Sequence, residues 1–155
     1  MIKKLSQEEI RKHKGVSFAG VSTCFFCTDG NGKLFMAKRS QQSRDERGNW
    51  DVGAGGLKFG QSAEHNAIRE IQEEYGVTPK SIKFIGYRDA FRTLPDGTPT
   101  HWVALDFLAV VDPSEIMINE PEMFDDCGWY ELDKLPTPLH SQLPAAIKKY
   151  HKEFR

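Results

Sequence analysis

The chain has 155 residues, 39% of them hydrophobic and 28% charged, with a net charge of −1 at pH 7. That length suits one domain over residues 1–155, large enough to bury about two-thirds of the surface its unfolded chain would expose, and the composition excludes a disordered, collagenous or membrane-embedded chain. The near-neutral balance removes the simplest basis for a nucleic-acid surface, and no apolar run approaches the ~18 residues of a membrane span; three cysteines and a charged N-terminus fit a reducing, cytoplasmic setting.

In chain order, Ser6 followed by Glu9 forms a capping-box pattern and predicts a short helix over residues 5–14, an extension ahead of the main fold. "GVSFAGVSTCFFCT" (15–28) is rich in β-branched and aromatic residues and reads as a strand. "DGNG" is a hairpin turn and "KLFMAKR" (33–39) the return strand. "SQQSRDERGN" is a polar loop. "WDVGAGG" (50–56) reads as a short strand entering a glycine loop. A helix follows, with Ser62 at its N-cap and Gly76 past its last turn. "SIKFIGYRDAFRT" (81–93) and "HWVALDFLAVV" (101–111) are strands joined by a Pro/Gly turn, residues 113–128 form a long polar loop, and "GWYEL" (128–132) is a last strand. "LPAAIKKYHKEF" (143–154) is an amphipathic closing helix with a basic face, a packing helix that could also line a homodimer contact. The order β-β-β-α-β-β-β-α predicts a mixed sheet with helices packed on it, an α/β fold.

The central helix poses a question. At ~100° per residue, Ala67, Ile68, Ile71 and Tyr75 share a core stripe, and Glu70, Glu73 and Glu74 fall within an arc of ~100° beside it. Glu70 and Glu74 are a like-charge i,i+4 pair, which costs a helix a few tenths of a kcal/mol. A glutamate-rich face is ordinarily a solvated face. Here, however, "GAGG" lies just ahead of it, and Arg69 stands beside Glu70, able to orient a carboxylate by a bidentate bond. Hard divalent cations take such oxygen ligands and keep waters for substrate phosphates.

At these residues the sequence resembles the Nudix hydrolase family, the MutT-like nucleotide pyrophosphohydrolases. The family signature runs from Gly55, through a position held here by Gln61 where the family has Glu, to Arg69, Glu70, Ile71, Glu73, Glu74, Gly76 and Val77. The resemblance extends weakly over residues 16–153, with Trp50 leading the strand before the loop and "WYELDKLP" near the end. It implies an α/β/α sandwich with a mixed sheet between helices. It also implies Mg²⁺-dependent hydrolysis, with Mn²⁺ as a substitute, of a nucleoside diphosphate linked to another group. The substrate it favours is a nucleoside triphosphate; ADP-ribose, a nucleotide-sugar, a dinucleoside polyphosphate and a non-catalytic nucleotide-binding module are the alternatives. Carried over, it implies Glu70, Glu73, Glu74 and the Gly55 carbonyl as metal ligands, Glu70 as general base, and Arg69 as the orienting residue. Gln61 keeps a carbonyl acceptor but loses a charge, so weaker metal binding is expected.

The remaining features are weaker. "CFFC" places Cys24 and Cys27 three apart on a strand, on opposite faces, as core residues rather than a metal or redox pair. Arg44 or Arg47 could reach a phosphate from its loop, although a solvated loop is the simpler reading. Arg92 and Trp50 are candidate substrate contacts, with Tyr87, Phe91 and Trp102 nearby; His101 reads as a surface histidine. In the loop 119–129, Glu122 and Asp126 are candidates for an extra acid. The expected partner is a small nucleotide, without nucleic acid or membrane.

Overall fold

The computed structural model describes residues 1–154. Strand β1 (Gly20–Thr28) runs through the middle of a seven-stranded sheet. Along one edge it pairs in parallel with β6 (Pro99–Val110), which forms an antiparallel hairpin with β5 (Ser81–Thr93). Its other edge is shared: β4 (Gly53–Gly56) takes Ser22 to Phe25, and β2 (Lys33–Arg39) joins at Thr28. β2 then pairs with β3 (Trp50–Asp51) and with β7 (Phe124–Glu131). The sheet is therefore mixed, as its connections predict.

Alternation along β1 sends side chains to two separate cores. Cys24 and Phe26 join Leu34, Met36 and Trp50 beneath α3 (Leu143–Lys149). Phe25 and Cys27 join Phe35, Ile71 and Tyr75 beneath α2 (Ala63–Tyr75). The two cysteines thus lie on opposite faces, each buried and free, as period-two geometry requires. Tyr75 meets Phe25 and Phe35 edge-on, with centroids 5.6 and 4.8 Å apart, which fixes α2 against the sheet. On the far side the Tyr150 hydroxyl donates to fully buried Asp106, which is also held by Arg88 at 2.7 and 2.9 Å. Burying a lone carboxylate is costly, so this three-member bond set is what lets Asp106 sit under α3. The layers are helix, sheet, helix, the expected α/β/α sandwich.

Several boundaries differ from expectation. β1 begins at Gly20 rather than residue 15, because residues 14–18 turn back on themselves through a Gly15 amide to Phe18 carbonyl bond. The "GAGG" segment is a strand, not a loop, since its backbone completes the β1 ladder. β7 starts at Phe124, so the polar loop is shorter and is broken by two 3-10 turns. The closing helix stops at Lys149, and the first helix, α1, covers Gln7–His13. Ile68 is only half-buried, while Asn66, a polar residue, is fully buried on α2.

Candidate active site

Ser62 accepts from the His65 amide at the start of α2, and Gly76 ends the helix with φ 63°, a left-handed conformation that suits glycine. Between these caps the three glutamates do not act alike. Glu70 is largely buried and lies against β4; a Cβ on Gly55 would stand 2.2 Å from the Glu70 carboxyl carbon. Gly55 is therefore glycine so that the carboxylate can reach the strand backbone. Glu74 faces the same interior, and its Oε2 is buried with no hydrogen-bond partner among the described residues. Glu73 points outward, half-exposed, and pairs with Arg69 at 2.8 Å. The arc predicted from helical spacing thus divides into an inward pair and an outward member.

Arg69 does not make a bidentate bond to one carboxylate. Its guanidinium spreads over four acceptors: Gln61 Oε1 at 3.1 Å, Glu73 Oε2 at 2.8 Å, Asn66 Oδ1 at 2.7 Å and Glu70 Oε1 at 3.0 Å. Gln61 is thereby placed on Arg69. Asn66 is the buried end of the same network. Its amide donates to Thr23 Oγ1 at 2.8 Å and to the Gly56 carbonyl at 3.2 Å, tying α2 to β1 and β4. Sequence reading missed Asn66; its signal was a polar residue one turn ahead of Glu70.

Burial raises the pKa of Glu70 above its ordinary value of 4.5, with Arg69 opposing. Glu74 is pushed well above the same value by burial, then by the charges of Glu70, Glu120 and Asp51. Glu120 arrives because the segment after β6 caps the end of α2. The Met117 amide donates to the Tyr75 carbonyl at 2.8 Å, and the Asn119 amide to the Glu74 carbonyl at 3.1 Å. Glu120 and Asp51, rather than Glu122 and Asp126, are the acids whose charges reach Glu74. Glu122 gives its backbone carbonyl to the Ser40 hydroxyl and its charge acts on Glu120, and Asp126 caps the Cys127 amide from the exposed start of β7.

A cleft of about 350 Å³ opens beside Gly55 and Gly56, lined also by Arg44, Asp51, Arg92 and Trp102. Arg92 is held in its wall by Asp45 at 3.1 Å and by His140 Nε2 at 2.9 Å. Arg44 is exposed at the same cleft, whereas the Arg47 guanidinium folds back to the Ser43 carbonyl. Trp50 is not at the cleft: β3 is an edge strand whose outer side is bonded by residues 138–140, and it turns this side chain into the α3-side core against Tyr130. His101 is a surface histidine, 2.9 Å from Asp89 and stacked on exposed Phe91.

These donors fit a hard divalent cation. Carboxylate and carbonyl oxygens are its preferred ligands. A buried carboxylate oxygen with no partner is a costly feature that such an ion would satisfy. Among the described residues no three acids, histidines or cysteines are already gathered as a closed cage.

The NUDIX domain family model matches residues 19–153. The chain belongs to the Nudix family. An RNA pyrophosphohydrolase of Acinetobacter baylyi is 27% identical over 113 residues, covering 64% of this chain and 65% of that protein. A NAD-capped RNA hydrolase NudC of Pseudomonas aeruginosa is 35% identical over 89 residues, 57% of this chain and 29% of that one. The chain therefore spans less than two-thirds of either relative. Among solved structures, a MutT Nudix hydrolase from Burkholderia pseudomallei matches with TM-score 0.74 and 26% identity, over 85% of this chain and 98% of that one. The Nudix domain of Shewanella oneidensis NrtR, solved with ADP ribose, shares the fold with TM-score 0.70 at 17% identity, over 97% of this chain and all of that one. No helix of this Nudix chain, among the described residues, is long and apolar enough to cross a membrane.

Proposed function

We propose that this Nudix chain is a Mg²⁺-dependent pyrophosphohydrolase that cleaves a nucleoside diphosphate linked to another group, with a nucleoside triphosphate as substrate. The observation that carries the reading is the pairing of Glu70 and Glu74 on one side of α2, with a buried Glu74 oxygen left without a partner among the described residues. Two desolvated carboxylates one helical turn apart repel each other, and a cation held between them would offset that repulsion.

Glu70, Glu74 and the Gly55 carbonyl are the groups that would hold the ion. When bound, it would neutralise phosphate charge and lower the pKa of a bound water. The protein's own part is positioning. Arg69 holds one oxygen of Glu70, and Asn66 holds Arg69, so Glu70 keeps one orientation against Gly55. Glu70 is the general base: its raised pKa brings it closer to the value at which a carboxylate accepts a water proton well. The water oxygen bonds to phosphorus, its proton passes to Glu70, and the bridging oxygen departs with the bond's electron pair. Substitution at phosphorus asks mainly for this positioning and charge stabilisation. Arg44 and Arg92 in the cleft wall suit phosphate oxygens.

A second reading follows from the relatives' names: the triphosphate could be the 5′ end of an RNA, as for the proteins named RNA pyrophosphohydrolase. The test is a panel of nucleoside triphosphates, ADP-ribose, dinucleoside polyphosphates and 5′-triphosphorylated RNA with Mg²⁺ or Mn²⁺, reading phosphate or pyrophosphate release. Wild-type protein should hydrolyse at least one member, and Glu70→Gln and Glu74→Gln should each lose at least ~100-fold in kcat. An intact panel would overturn the enzymatic reading, and undiminished variants would overturn the site assignment.

A further inference from the structure

The family match begins at residue 19, yet the segment ahead of it reaches the candidate site. Lys14 ends α1, its own amide bonded to the Ile10 carbonyl at 2.8 Å, and it forms a bridge with Phe18. Its side chain crosses to β4. The ammonium donates to the Leu57 carbonyl at 3.0 Å and lies 5.7 Å from the centre of the Trp102 ring. A Cβ placed on Gly56 would be 3.0 Å from Lys14 Nζ. Gly56 adjoins Gly55 and lines the same cleft. Lys14 itself lines a neighbouring cleft with Phe18, Leu57, Phe59 and Gln61, and its ammonium approaches the first cleft at Gly56.

The segment is built to hold that position. The Trp102 indole is caught between two glycines: a Cβ on Gly15 would fall 2.3 Å from Nε1, and one on Gly20 2.5 Å from Cε3. Gly15 has φ +78°, and its carbonyl accepts from the His101 amide at 2.9 Å. Trp102 therefore fixes the residue next to Lys14, and Lys14 covers the ring. An ammonium has three N–H donors, and one of them is committed, to Leu57. Burial lowers the Lys14 pKa, a cost a phosphate would offset by restoring a counter-charge. The simpler role, a strut joining α1 to β4, would use the Leu57 bond alone.

We propose that Lys14 is a substrate-binding residue: its ammonium takes an oxygen of the substrate's phosphate chain where that chain passes Gly56. The proposal rests on the reading of this cleft as a nucleotide site. It makes the segment before the matched domain part of the recognition surface, with a point charge of the kind lysine supplies to phosphate.

The test compares wild type with Lys14→Met, which keeps the stem over Trp102 and removes the charge, and Lys14→Arg, which restores it. Mg²⁺–ADP binding is followed by tryptophan fluorescence; KM and kcat are measured on the best triphosphate of the panel, and melting temperature on all three proteins. Lys14→Met should weaken ADP binding and raise KM by about tenfold, flatten the salt dependence of binding, and leave kcat within about twofold; Lys14→Arg should recover most of the affinity. Unchanged ADP affinity and KM in Lys14→Met, with or without a lower melting temperature, would overturn the proposal and leave a strut. ADP binding that depends on Lys14 without turnover of any panel member would uphold it while the hydrolase reading fails. A wild-type protein that neither binds ADP nor turns over the panel would overturn both.

Discussion

Arg69 is the residue through which most of the candidate site is held. Its four acceptors come from the loop before α2 and from three positions on the helix itself. Because Gln61 is one of them, its amide acts on the Glu70–Glu74 pair through Arg69. A glutamate at 61 would add a negative charge near the helix N-terminus, where charge of that sign is favourable. It would also compete with Glu70 for Arg69, leaving the Glu70 oxygen freer for a cation. Gln61→Glu should therefore lower the Mg²⁺ concentration for half-maximal activity by about fivefold, the order of effect a nearby charge has across partly solvated protein, without loss of thermal stability. Rates measured across a Mg²⁺ titration check this, and an unchanged midpoint would make residue 61 a purely mechanical support.

At the scale of elements, β4 and α2 form one unit because two glycines allow it. A Cβ at Gly53 would stand 1.9 Å from the Phe25 ring, a rigid neighbour in a filled core; one at Gly55 would meet the Glu70 carboxylate. The two substitutions should separate packing from chemistry. Gly53→Ala overpacks the core at a cost of roughly 1–3 kcal/mol, so it should lower the melting temperature by roughly 3–10 °C with activity per folded molecule retained. Gly55→Ala displaces a movable side chain, so it should cost ~100-fold or more in kcat with little change in melting. Equal effects from both would show that β4 serves stability alone. The same unit marks the limit of what local sequence carries. The α2 caps, its carboxylates, the β5–β6 hairpin and the split of Cys24 from Cys27 follow from spacing and turn chemistry. "GAGG" looked like a loop because glycine carries no strand propensity; its pairing is decided by β1, some thirty residues earlier. Glu120 could not be assigned to the site either, since it depends on amide bonds between the 117–119 segment and the end of α2. Trp50 is only a candidate substrate contact from sequence, because a strand-leading aromatic looks the same whether its strand turns it to the core or to a cleft.

Across the whole molecule, two buried titratable groups pull stability in opposite directions with pH. His140 closes a polar cluster beside the cleft, with Arg92 at 2.9 Å and Asp51 and Glu46 within 4 Å. Burial lowers its pKa below the ordinary 6.5, with Asp51 opposing. A depressed histidine favours the folded state while neutral, so its contribution is full above pH 6.5 and is lost as pH falls through the folded-state value. Glu74 has the opposite sign. Its folded pKa is raised, so the stability tied to its protonated form is full below 4.5 and is lost as pH rises through the folded-state value. At pH 7.5 in chelator the raised pKa of buried Glu74 is thus a standing destabilisation, kept for the ion it is proposed to hold. Glu74→Gln should melt several degrees above wild type at pH 7.5 in EDTA, and this advantage should shrink towards zero as the pH approaches 4.5. His140→Gln should melt below wild type at pH 7.5 and show a flatter decline as the pH falls below 6.5. Melting curves of the three proteins across pH 4.5–8 decide the matter. Parallel curves would mean that neither group changes its protonation on folding. A Glu74→Gln protein less stable than wild type in EDTA would mean that the carboxylate is a structural partner, and the case for a cation at this pair would fall with it.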